Sequence, residues 1–316
     1  MASYRSGESR TYIDHLAHWL NWKKFIFLLV LTVFLVTILF PFYWMVASSF
    51  KTYAEIGGRH PVYIPSALRW DAYDELFDPK NPSYWDFGRN VINSIRVAVP
   101  TSLIAVILST LGAYAIARLR FKGKETLLNS ILIVYLFPGI LLIIPLFAML
   151  AQIGAKLGFE VQDNLNILVL TYLAQTLPVA LYMLTNYFRT IPEEIEQAGL
   201  IDGCSRFSVI WRITMPLSIP ALVSVALYTF MIAWNEFLYA LVFLNSRSKF
   251  TMPIQINTIF NSPTPRPHVV MAASTIMTIP VIILFLALER FLEEGLSAGG
   301  VKGCKLRKPL FGGAFV

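Results

Sequence analysis

Long apolar stretches recur along this chain, and they limit its fold more than any other feature. The first, FIFLLVLTVFLVTILFPFYWMVA at Phe25–Ala47, carries no charge. About 20 such residues cross the hydrocarbon core of a bilayer as a helix. Five more stretches qualify: Val97–Ile116, Leu127–Ala151, Ile167–Phe188, Ile219–Phe243 and Val269–Leu288. Composition agrees, since 14% of residues are charged against about 25% in soluble domains. The fold class is therefore all-α transmembrane, with one six-span domain over residues 25–291.

The flanks are polar. Residues 1–24 are too long and too polar for a simple signal peptide and show no small-residue cleavage site. Ile13, Leu16 and Leu20 fall on one helical face there, which fits an interfacial helix; a solvated tail fits equally well. Residues 292–316 form a second polar tail. Cys204 and Cys304 are too far apart in sequence for a metal or disulfide pattern. His15 and His18 lack a third nearby ligand, so no metal site is expected.

Basic residues set the direction of insertion. With the N-terminus inside, most of the 26 Lys and Arg fall in inside segments. The sharpest case is ARLRFKGKE after the second span, with Arg118, Arg120, Lys122 and Lys124. Outside loops mix their cations with acids such as Glu55, Asp71, Glu75 and Asp163. Both termini and the loop between spans 4 and 5 are thus expected in the cytoplasm. The net charge of +7 is topological and implies no nucleic acid.

That loop, EEIEQAGLIDGCSRFSVIWRITMPLSIP, reads as two short helices, each about half a span long. Thr190 and Glu193 have capping-box spacing, with Pro192 in the first turn. Glu193, Glu194 and Glu196 suit the positive end of the helix dipole. Ile191, Ile195, Ala198 and Gly199 make a narrow face of apolar and small residues, suited to close docking. Asp202-Gly203 turns the chain, and Ser205 caps a second helix running to Pro216. A DNA-reading helix–turn–helix has this outline, but three arginines, Arg206 and Arg212 with Arg189 just before the stretch, against four acids make a poor basic footprint.

The stretch resembles the signature loop of permease subunits of binding-protein-dependent ABC importers, roughly E-A-A-x-x-D-G followed by a hydrophobic run and LP…P. Here it stands as Gln197-Ala198-Gly199-Leu200-Ile201-Asp202-Gly203, then Phe207, Ile210, Met215-Pro216-Leu217 and Pro220. Gln197 and Gly199 depart from the family's Glu and Ala. Other stretches resemble the carbohydrate, maltose-permease-like branch, among them FYWMVASSFKTYAEI, NSIRVAV, LGAYAIARLRF, FPGILLIIPLF, WNEFLYAL and GLSAGGVKG. The likeness covers most of the chain, with the family core at about 90–290; CKLRKPLFGGAFV runs past the family's usual end.

The resemblance implies a six-span permease fold whose cytoplasmic loop is a coupling helix seated on an ATPase subunit. Glu193, Glu196, Gln197, Ala198, Gly199, Leu200, Asp202 and Gly203 would make that contact. It implies a second homologous permease subunit, two ATPase subunits and an extracytoplasmic solute-binding protein. The loop holding Asn261, Ser262, Pro263, Thr264 and Pro265 is similar to the family's loop that meets the binding protein. No phosphate-binding glycine loop is present, since Gly123-Lys124 lacks the upstream glycine, and no catalytic cluster is visible. The chain is thus expected to be no enzyme and to hold no cofactor, with ATP and Mg used by its partners.

A solute path should show as costly residues inside spans. Glu236, beside Trp234 and Asn235, is the clearest; a structural hydrogen bond would explain it as well. Pro138-Gly139, Pro145, Gln175 and Pro178 interrupt helical bonding, tolerated where protein or a watery cavity covers the backbone. Tyr135, Tyr182 and Tyr228 offer ring faces on which sugars stack, or simple packing. The reading is an ATP-driven sugar importer working by alternating access. Glycerol phosphate or another small polar solute is the alternative cargo. A stand-alone secondary transporter would show inverted repeats and more intramembrane charge.

Overall fold

The structure, a computed structural model, describes residues 6–300 apart from 59 and 61; side chains are described for residues 22–291 apart from 132 and 134. The leader face at Ile13, Leu16 and Leu20, the histidines at 15 and 18, Cys304 and the tail from 301 lie outside those side chains. All regular structure among the described residues is helical. The chain divides into two compact units. One holds residues up to 84 with Ser262–Thr275, the other Trp85–Asn261 with residues from 276 on.

In the first unit, α1 (Ser6–Ser49) contains the first apolar stretch. Its residues from Trp22 to Phe42 are exposed almost without interruption. A helix apolar all round and exposed among the described residues suits a lipid- or partner-facing span. Short helices α2 (Tyr53–Gly57) and α3 (Asp71–Phe77) follow. Thr52 opens α2 with a capping box, taking the Glu55 N–H while its own N–H donates to the Glu55 carboxylate at 2.8 Å. Glu75 on α3 pairs with Arg266.

The second unit is built on α4 (Phe87–Arg118) and α7 (Leu165–Phe188), with α11 (Ile219–Asn235) packed on both. Between α4 and α7 run α5 (Lys124–Tyr135) and α6 (Gly139–Leu157), and between α7 and α11 run α8 (Glu193–Ile201), α9 (Arg206–Val209), a π-helical turn (Ile210–Thr214) and α10 (Met215–Leu217). After α11 come α12 (Leu238–Phe243), α13 (Met252–Phe260) and α14 (Pro267–Gly300), whose first residues belong to the first unit.

Small residues let these helices approach closely. Ala98, Thr101, Ala105, Ser109 and Ala113 repeat at helical spacing along α4 and are buried. A Cβ on Gly112 would come within 2.5 Å of Leu181 Cδ2. With apolar lipid outside, polar pairs hold the helices together: Ser102 Oγ donates to Ala226 O at 2.8 Å and Thr229 Oγ1 to Ser102 Oγ at 3.2 Å. At the other end of α4, the Asn90 and Asn93 amides both donate to Phe250 O, and Met252 N donates to Ser94 Oγ.

Two of the six expected spans are broken. The stretch Leu127–Ala151 divides after Tyr135, because Pro138 donates no N–H and disfavours helix in the residue before it. Its long apolar helix is instead Gly139–Leu157. The stretch Ile219–Phe243 stops at Asn235; Glu236 is extended, and α12 starts afresh. The helices long and apolar enough to cross a membrane number five among the described residues, or six when Arg206–Leu217 and Ile219–Asn235, bent by 84°, count as one.

Candidate functional site

The loop between α7 and α11 folds as two short helical runs. The first differs from expectation at its start. Thr190 Oγ1 donates to Tyr187 O at 2.7 Å, so it finishes α7 and does not cap α8. Pro192 stands at the cap with no side-chain bond. Glu193, Glu194 and Glu196 do lie in the first turn, where the helix dipole favours anions. Gly203 turns the chain at φ +88°, a conformation only glycine adopts freely. Ser205 caps the second run, its Oγ accepting from Ser208 N at 3.2 Å. That run continues through the π-helical turn to Leu217, one residue past the expected end.

The two faces of α8 differ sharply. Glu196 and Gly199 are buried, and a Cβ on Gly199 would stand 2.5 Å from Ile213 Cδ1. The departure at Gly199 thus coincides with a close crossing by the second run. Opposite, Ile195 is 43% and Ile201 86% exposed. Glu193, Gln197, Ala198, Asp202 and Gly203 are exposed as well, and Leu200 is half-buried. Ile191, counted with the open face in the sequence, is buried in an apolar cluster with Tyr114, Leu184, Phe188 and Ile210.

On the buried side, Arg118 ends α4 directly against α8. Its Nε lies 3.0 Å from Glu196 Oε1 and its Nη2 donates to Ile191 O at 2.8 Å. Thr214 Oγ1 donates to the same Glu196 oxygen at 3.2 Å. Arg120, Glu193, Gln197, Leu200 and Arg206 line a polar pocket of about 610 Å³ beside this group. In the sequence Arg118 counted only as a topological charge. No local pattern links it to an acid 78 positions away.

A second feature lies at the break between α5 and α6. A cleft of about 730 Å³ opens there, lined among others by Tyr135, Pro138, Gly139, Thr171, Gln175 and Pro178. Gln175 Oε1 is a buried acceptor with no partner among the described residues. Tyr135 and Tyr228 hydroxyls stand 3.4 Å apart, and Tyr182 is 42% exposed away from the cleft lining. Trp234 is buried and donates its indole N–H to Met277 O at 3.1 Å; its ring is packed and does not line the cleft. Asn235 is exposed and turns its amide back to Met231 O at 2.8 Å.

Glu236 has a structural environment. Its carboxylate accepts from Tyr172 OH at 2.7 Å and from the backbone N–H groups of Tyr239 and Ala240 at 2.9 and 3.1 Å. It therefore satisfies the freed donors at the start of α12, as a break inside a membrane requires. Tyr172, 64 positions away in sequence, holds the other side of that carboxylate, and no local pattern marks it for that role.

The loop after α13 begins at Asn261, exposed, with its amide bonded to Asn257 O at 2.9 Å. In the next residues Ser262 Oγ donates to Thr264 O at 2.8 Å, and Pro263, Thr264 and Pro265 are exposed.

Residues 105–298 match the family described as binding-protein-dependent transport system inner membrane component. The chain is 44% identical to the inner membrane ABC transporter permease protein YcjP of Escherichia coli K12, over 86% of this chain and 94% of that protein. It is 33% identical to the trehalose transport system permease protein SugB of Mycobacterium tuberculosis, over 84% and 93%. Its fold is similar to a chain of a bacterial ABC transporter involved in import of the acidic polysaccharide alginate, at TM-score 0.72 and 20% identity, covering 85% and 96%.

Proposed function

The chain belongs to the family of inner membrane components of binding-protein-dependent transport systems, and on that premise we propose that it translocates a sugar, of di- or oligosaccharide size, as one permease subunit of an ATP-driven importer. It pairs with a second homologous permease subunit. Two ATPase subunits, which hold ATP and Mg, dock on the cytoplasmic side, and a solute-binding protein docks outside on the loop 261–265. Alternating access carries the solute across.

The observation that carries this reading is the open face of α8. Ile195, Ala198 and Ile201 stand exposed on a helix whose other side is buried and polar-bonded. A short helix with an uncovered apolar edge fits a groove on a partner. The cleft supports the sugar. Its volume, about 730 Å³, lies in the usual range of roughly 300–1,000 Å³ for small-molecule sites. It combines aromatic and apolar walls with the polar side chain of Gln175. None of the described residues lining it is Lys or Arg, which disfavours a phosphate-bearing cargo.

The test is a double variant, Ala198→Trp with Gly203→Val, in the whole complex. The tryptophan blocks the open face, and valine at 203 forces a β-branched residue to positive φ, costing about 1 kcal/mol or more. Solute uptake and ATPase co-purification are both expected to fall to background, while membrane insertion persists. Normal uptake would reduce the loop to a connector and remove the docking reading. Gln197→Glu, at an exposed position that lines the same pocket as Arg118, Arg120 and Arg206, is expected to leave uptake in place.

A further inference from the structure

Arg118 does more than balance charge at a membrane edge. It is the last residue of α4, its side chain is 6% exposed, and so is that of Glu196 on α8. Burying two charges is costly unless each is paired and hydrogen-bonded. Here one guanidinium spends Nε on Glu196 and Nη2 on the carbonyl of Ile191, just before α8. The third approach, Nη1 to Glu193 Oε1 at 3.9 Å, involves an acid 59% exposed and is screened by water. The Glu196 oxygen is shared with Thr214 in the π-helical turn. Ile191, whose carbonyl Arg118 holds, is packed in an apolar cluster with Tyr114, Leu184, Phe188 and Ile210. Four pieces of chain therefore meet on one ion pair: the end of α4, the entry to α8, α8 itself and the second helical run.

A planar fork held at two points resists sliding and rotation together, which a single flexible contact does not. At its far end the same α4 carries the Asn90, Asn93 and Ser94 bonds to the backbone of residues 250–252. A 32-residue helix fastened at both ends by buried polar contacts is a connecting rod.

We propose that Arg118 is a positioning residue that joins α8 and the end of α4 into one lever, so that displacement of α8 by a docked partner reaches α4 without slack. This rests on the docking reading of α8 and adds the residue through which the motion leaves it. Arg118 is buried and bonds to the covered side of α8, away from the exposed Ile195, Ala198 and Ile201, so its loss separates docking from transmission.

Two measurements on the reconstituted complex test it. The first is solute imported per ATP hydrolysed. Arg118→Met is expected to lower that ratio about tenfold or more, with the ATPase still co-purifying. Arg118→Lys, which keeps the charge and loses the fork, is expected to fall between. Thr214→Val, which removes only the lateral bond, is expected to cost about twofold to threefold. An unchanged ratio in Arg118→Met would overturn the lever. The second uses spin labels at position 111, exposed on α4, and position 194 on α8, in a complex that keeps Arg118 and has its other cysteines replaced, and decides the matter even if Arg118→Met fails to assemble. The label separation is expected to stay constant between nucleotide-free and ATP-bound states. A change larger than about one helical turn, roughly 5 Å, would show that α8 slides on α4 and would overturn the proposal. If Ala198→Trp with Gly203→Val abolishes uptake while Arg118→Met keeps its ratio, the lever falls and docking stands. If that double variant transports normally, docking itself falls.

Discussion

Glu55 shows how much a few hydrogen bonds do for one carboxyl. Its pKa is held at about 2 against an ordinary 4.5, first by the Ser66 hydroxyl and then by the backbone N–H groups of Thr52 and Ser66. The folded value lies below the unfolded one. Whatever Glu55 contributes to tying α2 to the segment at Ser66 is therefore present above about pH 4.5 and lost as pH falls toward 2. A carbon-13 titration of this carboxyl should place its midpoint well below that of an ordinary glutamate, and Ser66→Ala should raise it. A midpoint near 4.5 in the unsubstituted protein would contradict the hydrogen-bonded arrangement. The sequence offers Thr52 and Glu55 at capping-box spacing, but Ser66 is eleven residues away and no periodicity points to it. Gly203 is the contrasting case. Asp-Gly after an amphipathic run is a turn signal in itself, and the structure places that glycine at φ +88°. Thr190 shows the limit of such signals. Its spacing to Glu193 fits a capping box, yet the hydroxyl prefers the nearer Tyr187 carbonyl at the end of α7.

Whole helices were most legible where hydrophobicity alone decides them. α4, α7 and the apolar part of α14 contain the expected stretches Val97–Ile116, Ile167–Phe188 and Val269–Leu288. The breaks were harder. Pro138 marks one, and its effect is local and readable. The break at Glu236 depends on a carboxylate that finds Tyr172 on a different helix, and a window of apolar residues cannot reveal that. Asp163 is similar: it sits at φ +58° and accepts from Asn245 N, Ser246 N and Ser246 Oγ, fastening the end of one loop to another. Burial alone would raise its pKa, but these bonds outweigh burial and lower it. The segment NSPTPRPHV at 261–269 is stiffened by its prolines, and Pro263, Thr264 and Pro265 are exposed. Shortening it by Pro263–Pro265 should lower solute-stimulated ATPase activity of the complex and leave basal activity in place. Stimulation equal to that of the full loop would count against a role in meeting the binding protein.

For the molecule as a whole, the direction of insertion ties these elements to function. The apolar stretches say that the chain crosses the membrane; they carry no sign. The sign comes from Arg118, Arg120, Lys122 and Lys124 between α4 and α5, four cations against Glu125 alone. In the structure this cluster borders the same pocket as α8, through Arg118, Arg120, Glu193 and Gln197. The cation-rich loop and the helix proposed to dock an ATPase therefore share one side of the second unit, as an importer driven from the cytoplasm requires. Had Arg118 been far from α8, the charge argument and the docking argument would have been independent, and either could fail alone. As it stands, they stand or fall together. Position 75, on α3 in the first unit, is expected on the opposite side by the chain's alternation across the membrane. Single cysteines at 122 and at 75, each in a chain lacking Cys204 and Cys304, separate the possibilities. A membrane-impermeant thiol reagent added outside intact cells should modify 75 and spare 122. Glu75 is partly shielded by its pairing with Arg266, so labelling at exposed position 78 serves as the accessible control. Modification of 122 with 75 and 78 protected would reverse the orientation and with it place α8 where no ATP-fed partner could reach it.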